Sequence, residues 1–294
     1  LDAGPLQYIS THTLDFTSLE ILTGGSDTDT FSIFGRRAES LAGGSGDDCF
    51  VFADGAVITT AIRGDEGRDT LDYSGYLSAV TINLATGDLG GGVGSVSSIE
   101  NITGGFGDDM LTGDTGDNIL TGGPGADTLA GGPGDDTYRF AAGWGVDNPI
   151  VEYAGDGNDT LDFSLLTTPL TFILGSLAVS DGFSSVMHTG TQIENLVGGN
   201  ADDTFTFANG ARLAGKIDGR SGFDTLDLQA YTPGLRTRFT GAGSVDGIAG
   251  VIDAVLGSFD NIDSLRSGSG NDTLLGMNTD AIWTLDSANM YASG

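Results

Sequence analysis

The sequence predicts an all-β chain wound as a parallel β-helix (a β-roll or β-solenoid) with coils of about 18–24 residues and glycine-rich turns. Three observations predict it. Residues 104–139 read as four unbroken nonapeptides, GGFGDDMLT, GDTGDNILT, GGPGADTLA and GGPGDDTYR. Related six-residue loops recur elsewhere, mostly at steps of one or two coil lengths. Between them lie short stretches that alternate apolar and polar residues, as strands do. The expected organisation is a single continuous solenoid over 1–294, with 104–139 as its tight block.

Taken in order, Leu14-Asp15-Phe16-Thr17-Ser18-Leu19-Glu20 leads into the first loop as though mid-unit. Loops follow at 24–29 (GGSDTD), 43–48 (GGSGDD) and 64–69 (GDEGRD), then the four nonapeptides, then 154–159 (AGDGND), 198–203 (GGNADD), 219–224 (GRSGFD) and 267–272 (SGSGND). Alternating arms such as Thr70-Leu71-Asp72-Tyr73, Val80-Thr81-Ile82-Asn83-Leu84 and Thr225-Leu226-Asp227-Leu228 predict the strands. Where a step is doubled, degenerate loops are expected at 83–88 and 241–246. A longer repeat overlies this one. Phe50-Val51-Phe52-Ala53-Asp54-Gly55 matches the stretches beginning at Tyr138 and Phe205, and each is followed by Asp-Thr-Leu-Asp. This gives superrepeats of about 61–69 residues. Ile282-Trp283-Thr284-Leu285 follows the last loop and is expected to stop mid-unit.

A strict nine-residue period cannot form a helical stripe, which turns every 3.6 residues. It suits a six-residue turn joined to a three-residue strand. Glycine at the first, second and fourth positions permits positive φ and close approach of neighbouring loops. The eighth position is always apolar (Leu111, Leu120, Leu129, Tyr138) and is expected to point inward. The sixth carries Asp109, Asn118, Asp127 and Asp136, hard oxygen donors. Six to eight oxygens at about 2.3–2.6 Å are what calcium takes.

The pattern Gly-Gly-x-Gly-x-Asp-x-apolar-x resembles the RTX, or hemolysin-type, calcium-binding nonapeptide repeats. The longer repeat resembles the tandem regions of large bacterial surface proteins and adhesins. The resemblance implies several Ca2+ ions held between stacked loops. Loop 104–109 is expected to face 122–127, and 113–118 to face 131–136. The candidate ligands there are Gly104, Phe106, Asp109, Gly113, Thr115, Asn118, Gly122, Pro124, Asp127, Gly131, Pro133 and Asp136. Asn118 is neutral, which weakens its site, and Asp114 is a candidate to compensate. Elsewhere the candidates are Asp29, Asp48, Asp69, Asp159, Asp203, Asp224 and Asp272. Ala201 and Asp27 replace the fourth glycine, and Arg220 stands at a second position. The competing reading of any one Asp is turn chemistry, since Asp and Asn bond their own backbone.

Composition narrows the function. There are 50 glycines, a formal charge of −30 and 38% apolar residues. Glycine every third residue is absent, which excludes collagen. The charge repels nucleic acid and anionic membrane surfaces, and bound divalent cations would relieve its self-repulsion. No apolar run is long enough to insert into a membrane, and the opening residues are not expected to act as a signal peptide. Cys49 is the only cysteine, so no internal disulfide forms; it is expected to point outward beside inward Phe50. His12 and His188 stand alone, and no nucleophile elbow, Walker loop or zinc motif occurs, so no enzyme is expected. Arg36-Arg37 and Arg236-Thr237-Arg238 read as solvated strand or loop.

The expectation is therefore a calcium-stabilised extracellular or cell-surface structural module. It is either part of an adhesin, beside neighbouring repeats of a longer chain, or a subunit that joins end to end into filaments. The alternative is a module that itself grips a glycan or host surface, and a polysaccharide-active β-helix enzyme is less favoured. Trp144 and Trp283 are the only tryptophans available for sugar stacking, and both also fit a packed role.

Overall fold

Glycine corners and three-residue apolar arms give the chain no length over which to form a helix, and among the described residues there is none. The computed structural model describes residues 6–9, 13–16, 20–90, 94–147, 150–152, 157–187, 192–277, 283–285 and 291–293. They fall into two compact units, 1–163 with 182–193, and 164–181 with 194–294.

In the first unit, strands Thr30–Ile33, Cys49–Phe52, Thr70–Asp72, Asn101–Thr103, Ile119–Thr121, Thr137–Arg139 and Asp159–Asp162 pair in parallel. Their register aligns one inward column: Phe31, Phe50, Leu71, Ile102, Leu120, Tyr138 and Leu161. A second parallel sheet, Thr81–Asn83, Met110–Thr112, Thr128–Ala130 and Ile150–Val151, aligns Ile82, Leu111, Leu129 and Ile150. A third, Ile21–Thr23, Ser40–Ser45, Ala61–Glu66 and Ser95–Ser97, aligns Leu22, Leu41, Ile62 and Val96. Successive nonapeptides thus alternate between the first two sheets. All four eighth-position side chains are fully buried. Aromatic columns stack along the winding, Phe31 on Phe50 at 4.8 Å, Phe52 on Tyr73 at 4.2 Å and Phe140 on Phe163 at 4.4 Å. Offset stacking of this kind adds to the area each ring buries.

In the second unit, Thr171–Leu174, Thr204–Phe207, Thr225–Asp227 and Ser264–Arg266 run parallel and align Phe172, Phe205, Leu226 and Leu265. Leu196, Ile217 and Phe259 form its other column.

The parallel winding has antiparallel departures. Arg236–Ala242, Ile248–Ile252 and Leu256–Ile262 form an antiparallel meander. Residues 241–246, expected to be a degenerate coil loop, are therefore at the tip of a hairpin. Residues 83–88 are likewise a tight turn closed by the antiparallel bridge Asn83–Asp88. After 83–88 the next strand, Ser95–Ser97, again runs parallel, to Ala61–Glu66, so of the two only the turn at 241–246 reverses the strand that follows it. Leu6–Ile9 with Thr13–Phe16, Thr171–Leu174 with Ala178–Ser180, and Trp283–Leu285 with Tyr291–Ser293 are also antiparallel. Arg36 is exposed as expected, but Arg37 is buried, on a short strand paired with Val57–Ile58. Cys49 is half-buried beside fully buried Phe50, and burial pushes its thiol up to about 11. Trp144 is buried against Phe140 and Phe163. His12, His188 and the loop residues 154–156 lie outside the described residues, as does the Trp283 side chain.

Candidate metal centre

Most six-residue corners begin on a glycine and end on an acid, and the coil length brings the successive sixth-position side chains into register. The result is a ladder. The Asp29 N–H donates to Asp48 Oδ1 at 2.7 Å, and the Asp48 N–H to Asp69 Oδ1 at 2.7 Å. The Asp69 N–H donates to Glu100 Oε2 at 2.8 Å. The stack continues with the Asn118 N–H on Asp136 Oδ1 at 2.7 Å and the Asp136 N–H on Asp159 Oδ1 at 2.9 Å. Asn118 Nδ2 donates to the Glu100 carbonyl at 3.0 Å. A second ladder runs from the Val80 N–H to Asp109 Oδ1, from the Asp109 N–H to Asp127 Oδ1 at 2.8 Å, and from the Asp127 N–H to Asp147 Oδ1. The second unit has a third, in which the N–H groups of Leu170, Asp203 and Asp224 donate to Asp203, Asp224 and Asp263. Loops 104–109 and 122–127 therefore stack, as do 113–118 and 131–136.

Fifth-position acids form an outer ladder of opposite sense. The N–H groups of Arg68, Ala126, Asp135, Asn158 and Phe223 donate back to Asp47, Asp108, Asp117, Asp135 and Asp202. This accounts for the paired acids in GDD: the outer one ties the coils and the inner one faces the core side.

The second carboxylate oxygen separates the loops into two kinds. In loops 24–29, 104–109 and 198–203 the second-position N–H donates to Oδ2 of the sixth, at 2.6–2.7 Å. The Asp114 N–H does the same to Asn118 Oδ1 at 2.8 Å. In the loops stacked on these, the second residue turns to positive φ, at Gly44, Asp65, Gly123, Gly132 and Arg220. Its N–H no longer reaches the acid, and Asp48, Asp69, Asp127, Asp136 and Asp224 each keep a buried Oδ2 with no donor. The fourth position follows the same division, with positive φ at Gly46, Gly67, Gly125, Gly134 and Gly222 but not at Asp27 or Ala201. Ala201 therefore carries no left-handed strain.

These oxygens meet other acceptors. A Cβ on Gly43 would lie 2.0 Å from Asp48 Oδ2 and 2.6 Å from the Gly64 carbonyl. On Gly219 it would lie 2.5 Å from Asp224 Oδ2 and 2.2 Å from the Asn261 carbonyl. Glycine is needed because an acid and the next coil's carbonyl crowd the same face. Acceptor against acceptor, without a donor, is costly unless a cation lies between. The five carboxylates are 0–1% exposed. Burial pushes Asp69 and Asp127 up to about 6, and Asp136 and Asp224 up to about 7, with neighbouring acids adding to it. Asp48 is also raised by burial. An all-oxygen, acid-rich, carbonyl-lined corner fits a hard divalent ion such as calcium.

The other expected residues are placed as follows. Gly113, Gly122, Gly131 and Asp159 are buried on the stacks, while Phe106, Thr115 and Pro133 are exposed and Pro124 is half-exposed. Asp114 Oδ1 accepts the Gly116 N–H at 2.8 Å, which is turn chemistry. Asp272 is exposed; it accepts the Leu235 N–H at 2.8 Å and the Ser267 hydroxyl. Sequence reasoning missed Glu100 and Asp263 as ladder members because no glycine loop precedes them, and missed Asp147 although Ala142-Gly143-Trp144-Gly145-Val146-Asp147 has glycine at the second and fourth positions of the loop pattern.

The fold and its corners define a parallel β-solenoid with acid-and-glycine turns built for hard cations. The model of the RTX calcium-binding nonapeptide repeat matches residues 103–138 and 259–280, in four copies. The chain thus carries RTX-type repeats, which bind Ca2+ ions. No curated protein matches the chain.

Proposed function

We propose that the chain is a calcium-stabilised extracellular structural module, serving in a surface adhesin or as a subunit that joins end to end into filaments. The observation that carries the reading is the set of buried, donorless carboxylate oxygens at Asp48, Asp69, Asp127, Asp136 and Asp224. At Asp48, Asp69 and Asp224 that oxygen lies near the first glycine of its own loop and a carbonyl of the next coil. One ion at each corner would take that oxygen and the crowded carbonyls around the first glycines. Extracellular calcium modules load at about 10⁻⁴–10⁻³ M, so the chain would stay unloaded inside a cell and wind up after export. No catalytic role is part of this reading.

The test is a calcium titration of chelated protein followed by circular dichroism, with electron microscopy of the loaded form. Gain of β signal in the submillimolar range supports the module, and fibres support the filament form. A full β signal in excess chelator would sink the proposal.

A further inference from the structure

One corner carries an acid that belongs to no loop. Glu152 follows the strand Ile150–Val151, whose partner is Leu129–Ala130 in the second sheet. It is 8% exposed, and its carboxylate meets those of Asp136 and Asp159, both 1% exposed. One oxygen from each of the three lies within 4.8 Å of the others. Oxygens bound to one ion at about 2.3–2.6 Å can be no further apart than about 5 Å, so a single calcium can touch all three.

Two further observations point to a ligand. Asp136 Oδ2 and Glu152 Oε2 are buried and have no hydrogen-bond donor. The other Glu152 oxygen accepts the Tyr138 hydroxyl, whose oxygen in turn accepts the Gly131 N–H at 2.6 Å. Tyr138 stands at the eighth position, where the three preceding nonapeptides have Leu. Its hydroxyl is what orients Glu152 toward the loops. The largest charge effects on Asp136 and Glu152 come from other acids, Asp159 foremost.

We propose that Asp136, Glu152 and Asp159 form a calcium site of a separate class, with three carboxylates, that fills before the ordinary loop sites as calcium rises. The inference rests on the loop reading above and extends it. Calcium affinity grows with the number of charged ligands. A compact magnesium ion, which keeps several waters, is a poorer match to so buried a cluster.

Calorimetric calcium titration of the full chain and of Glu152→Gln tests it. The wild type is expected to show one ion bound at least about tenfold tighter than the rest, set by the extra charged ligand. Glu152→Gln is expected to lose that class and keep the others, whereas Asp127→Asn keeps it. An unchanged Glu152→Gln isotherm, or a wild type whose sites all bind alike, overturns the proposal while leaving the loop reading intact. A wild type that binds no calcium overturns the loop reading itself. Should Glu152→Gln fail to fold, wild-type crystals grown with one equivalent of terbium decide the matter. An anomalous peak between Asp136, Glu152 and Asp159 supports the site, and a peak only between other loops refutes it.

Discussion

At the scale of single residues, the two kinds of loop give opposite outcomes for one substitution at one motif position. Gly116 and Gly134 are both fourth-position glycines, indistinguishable in the repeat. A Cβ on Gly116 meets nothing closer than 3.4 Å, and its φ is not positive. Gly134 has φ 136° and would press a Cβ to 2.5 Å from the Gly116 carbonyl. Gly116→Ala is expected to change stability by no more than about 0.5 kcal/mol, and Gly134→Ala to cost about 2 kcal/mol or more. Calorimetric melting in saturating calcium checks both. Arg220 holds φ 71° at a second position, with its Nε buried and unsatisfied. Arg220→Gly relieves about 1–2 kcal/mol of left-handed strain, against a glycine entropy loss of about 0.5–1 kcal/mol. A slightly higher melting temperature and tighter calcium binding at loop 219–224 are the expected results.

At the scale of elements, the ladders make the calcium-free winding sensitive to pH. Asp69, Asp127 and Asp203 are pushed to about 6, and Asp136 and Asp224 to about 7, from an unfolded value near 3.8. Burial comes first among the causes each time. A carboxyl raised on folding favours the folded state below its unfolded value, and that contribution is lost as pH rises through the folded value. Chelated protein is therefore expected to regain β signal when acidified from pH 8 to about 5. Calcium affinity is expected to fall over the same interval, because protons then compete for the same oxygens. Dichroism in chelator and titrations at two pH values read this out. How much was legible also differs by element. Leu111, Leu120, Leu129 and Tyr138 point inward as the nine-residue period requires, because a short arm offers a single core-facing position. Glu100 and Asp263 were hidden, since a ladder rung needs only an acid at the corner and no surrounding glycines, whereas Gly143 and Gly145 before Asp147 did carry the loop spacing. The meander of 236–262 was hidden because strand direction depends on where the chain goes after the turn, which alternation does not encode.

At the scale of the whole molecule, a formal charge of −30 works against any wound state. Chelation is expected to increase the hydrodynamic radius, and about 1 M monovalent salt, with a screening length near 3 Å, to reverse part of that increase. Size-exclusion chromatography with light scattering measures both. Within the tight block, rungs connect residues 18 apart, Asp109 to Asp127 and Asn118 to Asp136. A single nonapeptide therefore carries the chain only halfway round, from one sheet to the other. Removing nine residues there would hand every later corner to the wrong column, whereas removing eighteen would leave each acid above a legitimate neighbour. Length in this block can change only in whole revolutions, so related chains are expected to differ there by pairs of repeats.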